Sequence, residues 1–176
     1  MRLSQLTAVA GLVAALALAG AARAETKVEL KSVHLCCPGC TRAVGDILKK
    51  LDDVKGTCDQ KAGTVTITAK DDEAAKKALQ ALADGGFHGD TGNKDLAIKD
   101  DSGVTKGKVE KLTLTGVHNC CNRCTTQLKE ALKKVEGVKA DTAKAKADTF
   151  EVTGDFDAEE LVKALNAAGY HVKVKK

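Results

Sequence analysis

Residues 33–40 read VHLCCPGC, and residues 117–124 read VHNCCNRC. Each octet holds a His-x-Cys-Cys-x-x-Cys pattern. A shift of 84 residues lays Val33, His34, Cys36, Cys37, Cys40 and Thr41 on Val117, His118, Cys120, Cys121, Cys124 and Thr125. Chance clusters do not recur at a fixed interval, so the octet marks the repetition of a larger unit. The match continues with Leu48-Lys49-Lys50 on Leu132-Lys133-Lys134. Further on the offset falls to 83, and ALADGGFH overlies ALNAAGYH, with Gly86 on Gly169 and His88 on His171. The one-residue deletion falls between residues 56 and 66, where a turn tolerates it. All four histidines and six of the seven cysteines are paired by the repeat.

Both copies share one layout. Val28 and Leu30, like Leu112 and Leu114, alternate as a half-buried strand does. The cysteine loop follows. Val44, Ile47, Leu48 and Leu51 then recur at helical spacing, as do Leu128, Ala131, Leu132 and Val135. Pro38, the only proline, suits the first turn of that helix, where its missing N–H costs nothing. A hairpin comes next, with a weakly marked strand at Thr57 to Asp59, a KAG turn and a strand carrying Val65, Ile67 and Ala69. In the second copy the apolar strand positions are Phe150 and Val152. A second helix is expected after a cap at Asp72 or Asp155, burying Leu79 and Leu82, or Leu161, Val162 and Leu165. A last short strand is expected to begin at Phe87 or Tyr170. The order βαββαβ predicts an α+β chain of two tandem ferredoxin-like sandwiches, each an antiparallel sheet with two helices on one face. The units span residues 27–90 and 107–176. The polar, Gly-containing stretch 91–106 reads as a linker.

The first 24 residues read as a secretory signal peptide. A basic Met1-Arg2 precedes an uncharged run from Leu6 to Ala22, and Ala22-Arg23-Ala24 has the small-x-small form of a cleavage site. The run is short and weakly apolar for a membrane span, so no stable membrane insertion is expected after cleavage. The expected location is the periplasm or the extracellular space. The segment carries Arg2, Arg23 and no acid, so its removal lowers the net charge from +4 to +2. With acids and lysines interspersed and aromatics scarce, the basic residues read as solvated helix faces, not as a nucleic-acid footprint.

A βαββαβ unit with Cys-x-x-Cys between its first strand and first helix, closing on GF or GY, resembles the heavy-metal-associated domain. That family includes copper chaperones, amino-terminal modules of copper-transporting ATPases and periplasmic mercury-binding proteins. The resemblance covers nearly the whole chain after residue 24, twice. It implies that Cys37 and Cys40, and Cys121 and Cys124, are the metal-binding pairs, with Phe87 and Tyr170 as closing aromatics. The family loop reads Gly-Met-x-Cys-x-x-Cys. Here Leu35 and Asn119 replace the methionine, and an additional histidine and cysteine precede each pair.

Metal chemistry also follows from the residues themselves. Two thiolates two residues apart converge on one ion, and soft sulfur selects Cu(I), Zn(II) or Hg(II). Cys40 and Cys124 are expected at helix amino termini, where the dipole lowers a thiol pKa. His34 and Cys36, with His118 and Cys120, are expected on the same side of the chain, which extends each site to as many as three sulfurs and one nitrogen. His88 and His171 read as outward strand residues or as further ligands. Cys58, opposite Thr142, reads as a small packing residue. Two competing readings are a closed structural zinc site, which would use all four ligands, and a thiol-redox site, which CPGC resembles. Against redox, the second copy reads CNRC, and no second proline is present to face the motif.

The expected function is a non-enzymatic exported protein that binds, sequesters or carries a soft ion, Cu(I) foremost. A metal-donating or metal-accepting protein is the expected partner, and the expected stoichiometry is two independent sites.

Overall fold

Alternating burial along Thr26–Leu30 makes strand β1, with Val28 and Leu30 inward and Lys27 and Glu29 in solvent. A computed structural model describes residues 25–175; the proposed leader lies outside the described residues. After β1 come helix α1 (Pro38–Leu48), strands β2 (Val54–Asp59) and β3 (Thr64–Ala69), and helix α2 (Asp72–Asp84). β3 is central, in the order β1-β3-β2, and both pairings are antiparallel. Val28 faces Ile67 and Leu30 faces Val65 across the first pairing. Both helices cover the buried face, with Val44 and Leu48 from α1 and Leu79 and Leu82 from α2 in one core.

The second half repeats this with strand β4 (Lys108–Thr115), helix α3 (Asn122–Leu132), strands β5 (Val138–Asp141) and β6 (Phe150–Asp157), helix α4 (Ala158–Ala167) and strand β7 (Lys173–Val174). Its antiparallel sheet has the order β5-β6-β4-β7. Leu128, Leu132, Phe150, Val152, Leu161 and Leu165 share its core. Among the described residues no helix is long and apolar enough to cross a membrane.

Three expectations change. The helix caps are Asp71, which accepts from the Ala74 N–H, and Asp157, which accepts from the N–H groups of Glu159 and Glu160. They are not Asp72 and Asp155. In the second half β6 runs on through the buried Phe156, and this delays the helix. The stretch read as a linker is packed. It forms a 3-10 turn at Lys94–Leu96, buries Leu96 in the first core, and offers the Ser102 carbonyl to the N–H of Val174 at 2.7 Å.

The largest change concerns the closing aromatics. The first sheet gains no fourth strand at Phe87, only a bridge between Lys31 and Asp90, and β7 starts at Lys173, beyond Tyr170. Phe87 and Tyr170 pair with each other instead, antiparallel, across the two halves. His88 N–H donates to the Gly169 carbonyl at 3.0 Å, and His171 N–H donates to the Gly86 carbonyl at 3.1 Å. Both glycines have positive φ, +82° and +86°. A Cβ on Gly86 would collide with the backbone N of His118, and one on Gly169 with that of His34. The GGF and AGY segments thus bring each half's last turn against the other's cysteine loop.

Gly169→Ala combines a left-handed backbone, unfavourable by about 1–2 kcal/mol, with a backbone collision. We expect a loss of at least about 2 kcal/mol in urea unfolding, with the amides of residues 32–34 and 169–171 losing hydrogen-exchange protection first. Unchanged protection there would mean that the seam does not need the glycine.

Candidate metal centre

Each cysteine loop ends in a helix start of the same shape. Cys37 and Cys121 are the N-cap residues, extended at φ −153° and −155°, and neither side chain makes a cap hydrogen bond. Pro38 takes the first helical position, as expected. Cys40 and Cys124, in the first turns, are fully buried.

The loops are tied down differently. In the first, the Val33 N–H donates to the Gly63 carbonyl at 2.8 Å, and Leu35 is buried in the core. In the second, Asn119 is buried and fully engaged. Its Nδ2 donates to the Lys144 carbonyl at 2.7 Å and its Oδ1 accepts from Thr125 Oγ1 at 2.8 Å. One loop is thus held by apolar packing and the other by hydrogen bonds, at the position where the family pattern has methionine. Arg123 Nη1 donates to the Cys36 carbonyl at 2.8 Å, joining the loops directly.

The six loop cysteines form one cluster. Cys36 Sγ lies 3.3 Å from Cys124 and 3.8 Å from Cys40, and Cys37 lies 3.6 Å from both Cys40 and Cys120. Cys124 is 3.8 Å from Cys40, 3.6 Å from Cys120 and 3.7 Å from Cys121. All six are free thiols, well beyond the roughly 2.05 Å of a disulfide. Two sulfurs about 2.3 Å from one ion at the tetrahedral angle are roughly 3.8 Å apart. The spacing therefore suits sulfurs that share ions. Cys37, Cys40, Cys120 and Cys124 make one four-ligand group drawn from both loops, and Cys36, Cys37, Cys121 and Cys124 make another.

The histidines divide. His34 groups with Cys36, Cys40 and Cys124, and its ring stacks on Tyr170 with centroids 4.2 Å apart. The Tyr170 hydroxyl donates to the Cys124 carbonyl at 2.8 Å and lies 3.0 Å from His34 Nε2. Its single proton goes to the carbonyl, so His34 Nε2–H must be the donor and His34 Nδ1 keeps its lone pair. His118 stacks likewise on Phe87, at 4.3 Å. Phe87 has no hydroxyl, and His118 Nε2 is buried without a hydrogen-bond partner among the described residues. His118 joins none of the ligand groups found among the described residues. Outside the cluster, Cys58 packs against the first core and lies 4.0 Å from the Thr41 carbonyl, and His88 and His171 meet each other. That last pairing was not legible locally, because its signal was the repeat itself.

Burial, contacts between the sulfurs and, at Cys37, N–H groups of the first helical turn set the thiol acidities. Contact with the Cys40 side chain holds Cys124 far below the ordinary thiol value, against burial, with His34, Cys36 and Cys120 assisting. Contact with Cys124 and burial push Cys40 up. Two sulfurs this close do not both ionise, so only one of the two helix-terminal thiols is depressed as expected. Burial pushes Cys36 up, and burial with Cys124 takes Cys120 to about 12. Burial also opposes ionisation of Cys37, but the Cys40 N–H and the Cys120 thiol outweigh it and bring Cys37 to about 7.

Residues 112–171 match the family described as "Heavy-metal-associated domain". MerP from Ralstonia metallidurans CH34, solved in its oxidised form, is 31% identical over 38% of this chain and 97% of its own, with a TM-score of 0.36. The N-terminal soluble domains of Bacillus subtilis CopA align over 87% of this chain and 95% of theirs at 17% identity, with a TM-score of 0.34. No curated protein matches. The chain belongs to the heavy-metal-associated domain family, and residues 112–171 carry the match. It is a heavy-metal-binding protein whose cysteine cluster has the donors to hold such an ion.

Two predictions follow from this geometry. Iodoacetamide should alkylate Cys37 of the reduced, metal-free protein first, with a rate midpoint near pH 7 instead of 9.0. With the folded value below the unfolded one, ionisation of Cys37 stabilises the fold above pH 9 and that contribution is lost as pH falls through about 7. Mass mapping that finds Cys36 first, or a midpoint near 9, would reject the assignment. Tyr170→Phe should cost about 1–3 kcal/mol in chemical denaturation, because it strands buried partners, and should abolish the ring N–H signal of His34 Nε2.

Proposed function

We propose that the protein is an exported, non-enzymatic carrier of Cu(I), built from two tandem ferredoxin-like metal domains that share one thiolate site. The observation that carries this reading is the convergence of six free thiols from two loops at sulfur–sulfur distances of 3.3–3.9 Å. Thiolates suit Cu(I) and also Zn(II) and Hg(II). A structural zinc ion uses four ligands in a closed shell. Here six sulfurs compete, and Cys36, Cys37, Cys120 and Cys121 are only half-buried. This favours a small group of ions bridged by shared sulfurs and open to stepwise exchange with a donor or acceptor protein. Residues 1–24 would direct export and be removed.

Two independent sites do not fit the geometry, since each loop's sulfurs complete the other's ligand groups. Titration of the reduced protein with Cu(I) against a competing chelator should show several equivalents taken up in one cooperative step, with copper–copper scattering in X-ray absorption. The double variant Cys37→Ser, Cys40→Ser should weaken every equivalent by roughly tenfold or more. Retention of one equivalent at full affinity would mean separate sites. The apo protein should stay folded by circular dichroism and the loaded protein should pass Cu(I) to a competing thiol. Unfolding on chelation would instead indicate a structural zinc module.

A further inference from the structure

A second set of ligand side chains lies away from the cysteines. Successive residues of an extended chain point to opposite sides. Phe87 and Tyr170 turn toward His118 and His34, so His88 and His171 turn the other way and meet across the seam. Their Nδ1 atoms are 3.3 Å apart. The rings lie 8° from parallel with centroids 5.6 Å apart. The two separations differ by two ring radii, so the nitrogens lie on the line between the rings and face each other head-on.

The far side of His171 is fixed. Its Nε2 lies 2.7 Å from Asp101 Oδ1, and the other oxygen of Asp101 holds Lys173 Nζ at 2.8 Å. An ionised carboxylate only accepts, so His171 carries a proton on Nε2. In the neutral ring Nδ1 is then bare. This carboxylate–histidine arrangement commonly orients a metal-binding imidazole. The carboxylates of Asp100 and Asp90 also act on His88. His171 is buried and His88 half-buried, which leaves an approach from the His88 side.

In the resting pair, His88 Nδ1–H donates to His171 Nδ1. Moving that proton to His88 Nε2 gives the other neutral tautomer and leaves two lone pairs aimed along one line. A tetrahedral ion such as Zn(II) needs donors that converge at an angle, which in-line rings do not provide. A two-coordinate d10 ion needs donors in line. Two bonds of about 2.0 Å require a nitrogen separation of about 4 Å, an opening of about 0.7 Å within reach of small side-chain rotations.

We propose that His88 and His171 form a second metal site, which takes one monovalent d10 ion in linear two-nitrogen coordination, with Asp101 as its positioning residue. The site spans the two halves and contains no sulfur. It stands independently of what the cysteine cluster carries.

The test uses the full chain, uniformly labelled with ¹⁵N, titrated anaerobically with Cu(I) past saturation of the thiols. One further equivalent should shift the Nδ1 resonances of His88 and His171 together and leave the Nε2–H of His171 in place. His88→Ala and His171→Ala should each lose that equivalent and keep the thiol-bound ones. Asp101→Asn should weaken it roughly tenfold without abolishing it. Zn(II) should move neither ring. In the Cys37→Ser, Cys40→Ser variant the ring shifts should persist, which separates this site from the thiol cluster. Ring resonances unmoved by excess Cu(I) would reduce the pair to a hydrogen bond and overturn the proposal. The wild-type spectrum alone decides this if a variant fails to fold.

Discussion

Two backbone hydrogen bonds at the seam, His88 N–H to the Gly169 carbonyl and His171 N–H to the Gly86 carbonyl, set the position of everything else. They are reciprocal, so each half presents the same turn to the other. That turn can approach only because both positions lack a Cβ and accept a left-handed backbone. With the turns in contact, Phe87 lies on His118 and Tyr170 on His34. These stacks fix the start of each cysteine loop against the opposite half. The thiol cluster is therefore a consequence of backbone approach as much as of cysteine placement.

Bringing six thiols together has an electrostatic result that one loop alone would not show. A single Cys-x-x-Cys at a helix terminus gains thiolate character from the dipole. In the merged cluster each new thiolate repels the next at under 4 Å, and in a partly buried setting that outweighs a dipole contribution of about 0.3–1 kcal/mol. The split between Cys124, driven down, and Cys40, driven up, expresses this. A cation removes the repulsion for all the sulfurs it touches, so the first ion bound prepares the ligands of the next. Metal uptake and deprotonation are coupled across the whole cluster.

Much of each half was legible because it depends on local pattern. Val28, Leu30, Val44, Leu48 and the Leu161–Leu165 stripe are buried as their spacing requires, with Ile47 and Leu51 partly buried beside them. Local rules failed where two signals competed. Asp71 and Asp72 both qualify as a cap, and only the geometry of the chain leaving β3 selects the first. Asp155 lost its role because Phe156 prolongs the strand into the core. The merger of the two loops was not legible at all. It rests on pairing between residues 83 positions apart, and nothing in the octets distinguishes a loop that faces solvent from one that faces its copy. The signal that bears on it is GGF and AGY, where glycine precedes each aromatic. Read singly, each looks like the turn into a fourth strand.

The two copies also depart from equivalence in a way that bears on which ligands the cluster can use. A hydroxyl on Tyr170 satisfies the Cys124 carbonyl and holds the His34 ring by Nε2, and His34 groups with Cys36, Cys40 and Cys124. Phe87 supplies no such hydroxyl to His118, whose Nε2 stays buried and unpartnered among the described residues. Leaving a buried polar atom unsatisfied costs about 1–3 kcal/mol, and no ligand group among the described residues recovers that cost. Sequence symmetry makes His34 and His118 equal candidates. The single oxygen that separates tyrosine from phenylalanine makes them unequal, and it weights nitrogen coordination toward the His34 side of an otherwise shared sulfur site.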